Sequence, residues 1–251
     1  MSPAPPARAR LALAVVLGAL AACAGGAPAR RQSLLSAGGE RPPSEEEIEA
    51  ADAACLQFLA QRGVSYRPGP GDKGIRTPVE ITGALAGVRL TPRLGLPALM
   101  DCELARALVE AAPVLAEAGI DELSYSSAYS YRMRRGSTTL SSHARGLAID
   151  VHVLRGPAGS FDVAHDFEAG AGRWIGIVPQ NGDLDGCIGA PGTDAGLRLR
   201  TLVCRLKHHS AFRVIVTPDD NDDHRDHLHL EAFPDAVTRV ARVLGVLPLR
   251  R

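Results

Sequence analysis

The sequence predicts an α+β fold with a small central sheet, antiparallel or mixed, and flanking helices. Several short segments with strand character follow one another in the second half of the chain, at 122–132, 147–153, 173–178, 212–217 and 227–231. Segments with the apolar spacing of helices lie before and between them. Short and mostly consecutive strands favour such a sheet, with helices packed on one side, over a doubly wound parallel sheet.

The N-terminal residues predict export. Arg8 and Arg10 precede the apolar run LALAVVLGALAAC, which is short for a membrane span but typical of a secretory signal. The run ends in LAAC, which resembles the bacterial lipoprotein signal, so residues 1–22 are the predicted signal peptide and Cys23 the lipidated residue. An ordinary cleaved signal with an incidental cysteine is the alternative. Ala24 favours the outer membrane, so we expect a periplasmic, lipid-anchored protein.

A flexible tether is expected over 23–43, where the residues are small, polar and rich in proline, and a folded domain over 44–251. Ser44 and Glu47 form a capping-box signature that predicts a helix to about residue 62. Residues 63–98 are rich in glycine and proline, which predicts loops with one small hairpin.

Three further helices are expected. The first begins at Asp101, with leucines at helical spacing, and ends at Gly119, with Pro113 kinking or dividing it. The other two are expected at 193–208 and 234–244.

Four cysteines remain after Cys23, an even number in a chain bound for an oxidising compartment, and they predict two disulfides. The favoured pairs are Cys55 with Cys102 and Cys187 with Cys204, because each pair lies within one half of the chain. A structural zinc site of four cysteines is the competing interpretation, but the short C-x-x-C spacing typical of such sites is missing.

Two histidine-bearing segments have the alternation of strands. In SSHARGLAIDVHV, Asp150 and His152 lie on the face opposite the apolar side chains, and Gly146 lets the chain turn so that His143 can come alongside Asp150. In DDHRDHLHLE, His227 and His229 project from one face of a strand whose other face is leucine.

These residues can form a catalytic zinc site, which needs three nitrogen or oxygen ligands and an open position. His143, Asp150 and His229 supply such a set. His227 then lies beside the metal, where it can stabilise an oxyanion or move protons, and Asp226 is the candidate base. His152 is either a supporting partner of the site or an alternative ligand.

Two motifs carry a family resemblance. Ser141-x-His143-x-x-Gly146-x-Ala148-x-Asp150 resembles the S-x-H-x-x-G-x-A-x-D motif of the zinc D-alanyl-D-alanine carboxypeptidases, and His227-x-His229 resembles the H-x-H motif of the murein endopeptidases. Residues 53–231 are similar to the bacterial extensin-like C-terminal domain family, through Cys102 opening a helix, the YR at 131–132, Cys204 in a late helix and DHRDHLHLE.

The resemblance implies a carboxypeptidase-like α+β domain. It also implies that His143, Asp150 and His229 bind zinc, and that Arg132 and Ser141 bind substrate, Arg132 through a carboxylate. The sequence departs from the pattern in two places. The carboxypeptidases have a glutamate three residues before the last ligand, where this chain has the shorter Asp226, and Ser130 stands where a cysteine is expected. The identity of the base therefore stays open.

These observations predict a monomeric zinc peptidase that acts on stem or crosslink peptides of peptidoglycan. A formal net charge of +0 gives no reason to expect nucleic acid as a partner, and the membrane is expected to be met through the lipid anchor alone. The alternative is a cell-wall binding lipoprotein that holds a metal without turnover. A hydrolase that cleaves another kind of bond is a third interpretation.

Overall fold

The computed structural model describes residues 44–71, 73–171 and 185–235. The predicted signal peptide, the tether with Cys23, the strand at 173–178 and all but the first two residues of the helix at 234–244 lie outside these ranges. Within them, no helix has both the length and the apolar character that crossing a membrane would require. The helices of the described part are α1 (Glu45–Gln61), α2 (Cys102–Glu117), α3 (Val163–Asp166), α4 (Asp185–Ile188) and α5 (Asp194–His209).

The strands form two sheets, which confirms a mixed α+β fold. The strands are β1 (Tyr66–Pro68), β2 (Pro78–Ile81), β3 (Arg89–Pro92), β4 (Ala98–Asp101), β5 (Glu122–Ser127), β6 (Ala148–Gly156), β7 (Gly159–Asp162), β8 (Val214–Val216) and β9 (Leu228–Glu231). The larger sheet has the order β3-β5-β6-β9-β8, with β7 also paired to β6. Its β3–β5 pair is parallel and its other pairs are antiparallel, so the sheet is mixed.

The longest strand, β6, lies at the centre of the larger sheet. One edge of β6 pairs with β5, while the other pairs with β9 over its first residues and with β7 over its last. Residues 148–154 are all buried, although only one face was expected to be apolar. The polar face of β6 is therefore covered as well, and it is the face that carries Asp150 and His152.

The prediction of loops with one small hairpin over 63–98 understates the strand content of this stretch. This stretch contributes β1, β2, β3 and the first residue of β4, and β1-β2-β4 form a separate antiparallel sheet. The strands are only three or four residues long and hold prolines at their ends, so the alternation is too short to stand out against the glycine and proline around it. In β2 the period of two is nevertheless present, since Val79 and Ile81 are buried and their neighbours less so.

The predicted helices and their ends are largely confirmed. Ser44 caps α1 through a capping box: its Oγ accepts the N–H of Glu47 at 3.3 Å, and the Glu47 carboxylate accepts the N–H of Ser44 at 2.7 Å. Helix α2 runs without a break through Pro113, and the chain turns at Gly119 with φ of 70°. Thr193 caps α5, which ends one residue later than expected.

Both disulfides have the predicted pairing. Cys55–Cys102 joins α1 to the first residue of α2, and Cys187–Cys204 joins α4 to α5. Four strands differ in their limits from the prediction: β5 ends at Ser127 rather than at 132, β6 covers Ala148–Gly156 rather than 147–153, β8 is confined to Val214–Val216, and β9 begins at Leu228 rather than at 227.

Candidate metal centre

A short turn before β6 positions His143. Residues His143–Arg145 form one 3₁₀ turn, and Gly146 closes it in the left-handed conformation with φ of 65°. A side chain at Gly146 would lie 2.6 Å from the backbone nitrogen of Asp101, which itself donates to the Gly146 carbonyl at 2.9 Å. Because the two backbones touch here, only glycine fits, and His143 is carried back over β6.

Register in the sheet positions the other two candidate ligands. Asp150 on β6 and His229 on β9 are direct partners in the antiparallel ladder, so their side chains leave the same face of the sheet. The sequence placed each residue on the polar face of its strand, and the β6–β9 pairing brings these faces together.

The three candidate ligand atoms converge. His143 Nε2 is 3.1 Å from Asp150 Oδ1 and 3.2 Å from His229 Nδ1, and His229 Nδ1 is 3.0 Å from Asp150 Oδ1. Ligands held tetrahedrally at about 2.0–2.1 Å from zinc are about 3.3 Å apart, so the triangle fits one ion. His143 is 1% exposed and Asp150 9%. This group of one buried histidine, one half-buried histidine and a buried carboxylate can therefore hold a metal ion.

A polar neighbour contacts the far nitrogen of His143, and another lies near the far nitrogen of His229. His143 Nδ1 lies 3.4 Å from Ser127 Oγ, and His229 Nε2 lies 3.7 Å from the carboxylate of Glu231, which is paired with Arg213. Partners on the far nitrogen of a histidine select the tautomer whose near nitrogen has a free lone pair. Ser127 can therefore hold His143 in the tautomer that binds a metal, in which Nε2 carries a lone pair instead of a proton donated to Asp150.

Electrostatics favour an ionised carboxylate at the centre. Burial raises the pKa of Asp150, but hydrogen bonds from His143 and His229 and the charges of these rings outweigh it and bring the pKa well below its usual range. Burial lowers the pKa of His229, against the hydrogen bond to Asp150. A neutral imidazole and an anionic carboxylate are the protonation states that bind a metal.

A second group of polar side chains adjoins these three. His227 Nε2 is 3.5 Å from Asp150 Oδ1, and His227 Nδ1 is 2.8 Å from Asp226 Oδ1. Asp226 lies before the first residue of β9, Leu228, so the alternation of strand faces does not govern the direction of its side chain. The candidate base and the candidate proton carrier are therefore bonded to each other, and the ring of His227 stands between Asp226 and the ligand triangle.

The two predicted substrate-binding residues differ in their solvent exposure. Arg132 is exposed on the loop after β5. Ser141 is 5% exposed, and its hydroxyl accepts the N–H of His143 at 3.3 Å. Ser141 thus helps to form the turn that presents His143, and the substrate-binding roles of Arg132 and Ser141 stay predictions.

Several residues near the site were missed or undervalued by sequence reasoning. His224 is half-buried, with its ring 5.0 Å from that of His227. Ser126 and Ser127 both contact site histidines, which regular alternation forbids, and a register shift between β5 and β6 at this point allows it. Burial lowers the pKa of His152 most, and the charge of Arg93 lowers it further. Nothing in the local sequence predicted the register shift between β5 and β6, or that Arg93 lies close enough to His152 to affect its pKa.

No family model, no curated protein and no solved structure matches this chain.

Proposed function

We propose that this protein is a zinc-dependent peptidase that acts on stem or crosslink peptides of peptidoglycan. The observation that supports it most is the triangle of His143 Nε2, Asp150 Oδ1 and His229 Nδ1, with sides of 3.0–3.2 Å. Two imidazoles and one carboxylate are a ligand set of catalytic zinc sites, which keep a further position open. The motif resemblance adds the peptide substrate.

The roles of the side chains follow from their places around this triangle. Zinc in such a set supplies Lewis-acid polarisation of a carbonyl and acidifies water. His227 presents Nε2 towards the triangle, where it can donate to the developing oxyanion, while the Asp226 carboxylate bonds to Nδ1 and fixes the orientation of the ring. Arg132 is proposed to bind a carboxylate of the substrate.

The proposed cellular setting rests on the N-terminal sequence. Lipidation at Cys23 would anchor the chain in the outer membrane, and the tether of residues 23–43 would hold the domain in the periplasm next to peptidoglycan. The protein is proposed to act as a monomer with zinc as its cofactor.

A binding protein without turnover is the second candidate, and one observation favours it. Asp226 is bonded to His227 and is one methylene shorter than the glutamate of the carboxypeptidase pattern. Its carboxylate is therefore less well placed to take a proton from water at the metal. A protein that keeps the metal and binds cell wall has the same ligand triangle.

Cleavage of defined muropeptides separates the two candidates. Purified full-length protein is incubated with stem and crosslinked peptides, with chelator and then with added zinc, and released amines are measured. The peptidase is expected to lose activity with chelator, to regain it with zinc and to lose it in His229→Ala. His208→Ala, at the exposed end of α5, is the matched control and is expected to retain activity. Bound metal without cleavage of any peptide would contradict the peptidase and favour the binding protein.

A further inference from the structure

A second set of ligand-type atoms lies outside the triangle. His152, Asp226 and His227, which we name the outer cluster, each offer one such atom, and these atoms lie within 4.8 Å of one another. The proposed function uses Asp226 and His227 for proton transfer but leaves His152 without a task.

His152 has the features of a metal ligand. It is 8% exposed, and its Nε2 lies 2.8 Å from Ser126 Oγ. Its Nδ1 is buried and has no hydrogen-bond partner within the part of the chain that the structure describes. With the Nε2 proton given to Ser126, Nδ1 presents a lone pair, which is the usual arrangement of a ligating histidine.

The lone pair faces a carboxylate. Asp226 Oδ2 is 3.8 Å from His152 Nδ1, too far for a hydrogen bond. Both atoms are acceptors with lone pairs directed into the gap, so a cation between them would interact favourably with both. This separation is longer than the distance of about 3.3 Å between two ligands of a tetrahedral zinc ion. The Asp226 side chain is 51% exposed, so it can rotate and close the difference.

His227 completes the set. Its ring centroid is 5.1 Å from that of His152, and its Nδ1 is 2.8 Å from Asp226 Oδ1. Use of Nδ1 as a ligand leaves Nε2 directed at Asp150 Oδ1, 3.5 Å away. The Nδ1 atom of His227 therefore faces the outer cluster, and its Nε2 atom faces the triangle.

We infer that the outer cluster is a second divalent-cation site, adjoining the first and suited to zinc. Two imidazoles and a carboxylate suit this class of metal. The second site binds more weakly than the first, because Asp226 is half exposed and gives up its bond to His227, and because the charge of Arg93 acts on His152. A consequence that rests on the proposed function is inhibition by excess zinc, since the ion takes His227 away from Asp226.

Zinc titration of the full-length protein tests the site. Calorimetry with zinc alone is expected to show two ions per chain, one tight and one at least ten-fold weaker. His152→Asn is expected to remove only the weaker ion, and His229→Ala only the tight one. Asp226→Asn, at an exposed position, repeats the test without disturbing the core. His165→Ala removes an exposed histidine that lies 3.4 Å from Asp162 and is expected to leave both ions in place.

The result that overturns the inference is a single ion in the wild type, or a second ion that survives both His152→Asn and Asp226→Asn. Binding is read without turnover, so the two proposals fail separately. Two ions with no peptide cleaved would contradict only the peptidase. One ion with cleavage would contradict only the second site.

Discussion

Replacing Gly146 by alanine tests how the turn before β6 builds the metal centre. The added Cβ has two effects. It places an L side chain at φ of 65°, which costs about 1–2 kcal/mol. It also meets the backbone nitrogen of Asp101 at 2.6 Å and a carbon of Met100 at 3.1 Å, and overpacking of this kind costs a further ~1–3 kcal/mol. We expect Gly146→Ala to lower the free energy of unfolding by about 2–5 kcal/mol.

Gly63→Ala is the matched control, because Gly63 has the same φ of 65° and nothing within 4 Å of the added Cβ. It is expected to cost only the backbone part, about 1–2 kcal/mol. Denaturant unfolding is measured with chelator present, so that metal binding does not add to stability. Zinc affinity, measured separately, is expected to fall about ten-fold or more in Gly146→Ala alone, because His143 moves relative to Asp150. Equal stability losses in the two variants, with zinc affinity unchanged, would refute the reasoning.

Three further predictions concern the scaffold. The buried Asp101 carboxylate accepts three backbone N–H groups at 2.9–3.1 Å, so Asp101→Ala is expected to lower unfolding free energy by about 3–5 kcal/mol, and a loss no larger than that of Asp101→Asn would contradict this. Burial lowers the pKa of Lys207 from 10.5 to about 7, so between these pH values the unfolded chain binds more protons and stability rises with pH. Lys207→Met is therefore expected to gain roughly 2–4 kcal/mol at pH below 7, with the gain shrinking towards pH 10, and a gain independent of pH would count against the buried amine. Loss of the Cys55–Cys102 disulfide, whose sequence separation is 47, is expected to cost about 4 kcal/mol in urea unfolding, and a cost near zero would show that it does not restrain the unfolded chain.

Features with local causes could be predicted from the sequence. Ser44 and Glu47 form their capping box within one turn of chain, so the start of α1 needs no information from elsewhere. The polar faces that carry Asp150 and His229 follow from period-two alternation in each strand. We predicted that Asp150 and His229 come together by combining the polar face of each strand with the family motif. In the structure, the β6–β9 register brings the two residues together.

Features that depend on distant pairing could not be predicted. The strands β1 to β4 are three or four residues long and gain their hydrogen bonds from partners far along the chain, so local composition indicated loops. The bond between Asp226 and His227 depends on where β9 begins, and the contact of His152 with Ser126 depends on a register shift in β5. A one-residue change in either place moves the side chain to the other face.

Anomalous diffraction at the zinc absorption edge, from crystals of the zinc-loaded protein, tests the central claim most directly. The account predicts a peak bound by His143 Nε2, Asp150 Oδ1 and His229 Nδ1, each at about 2.0–2.2 Å. A protein that takes up zinc but shows its strongest peak away from these three atoms, or no peak within their reach, would contradict it.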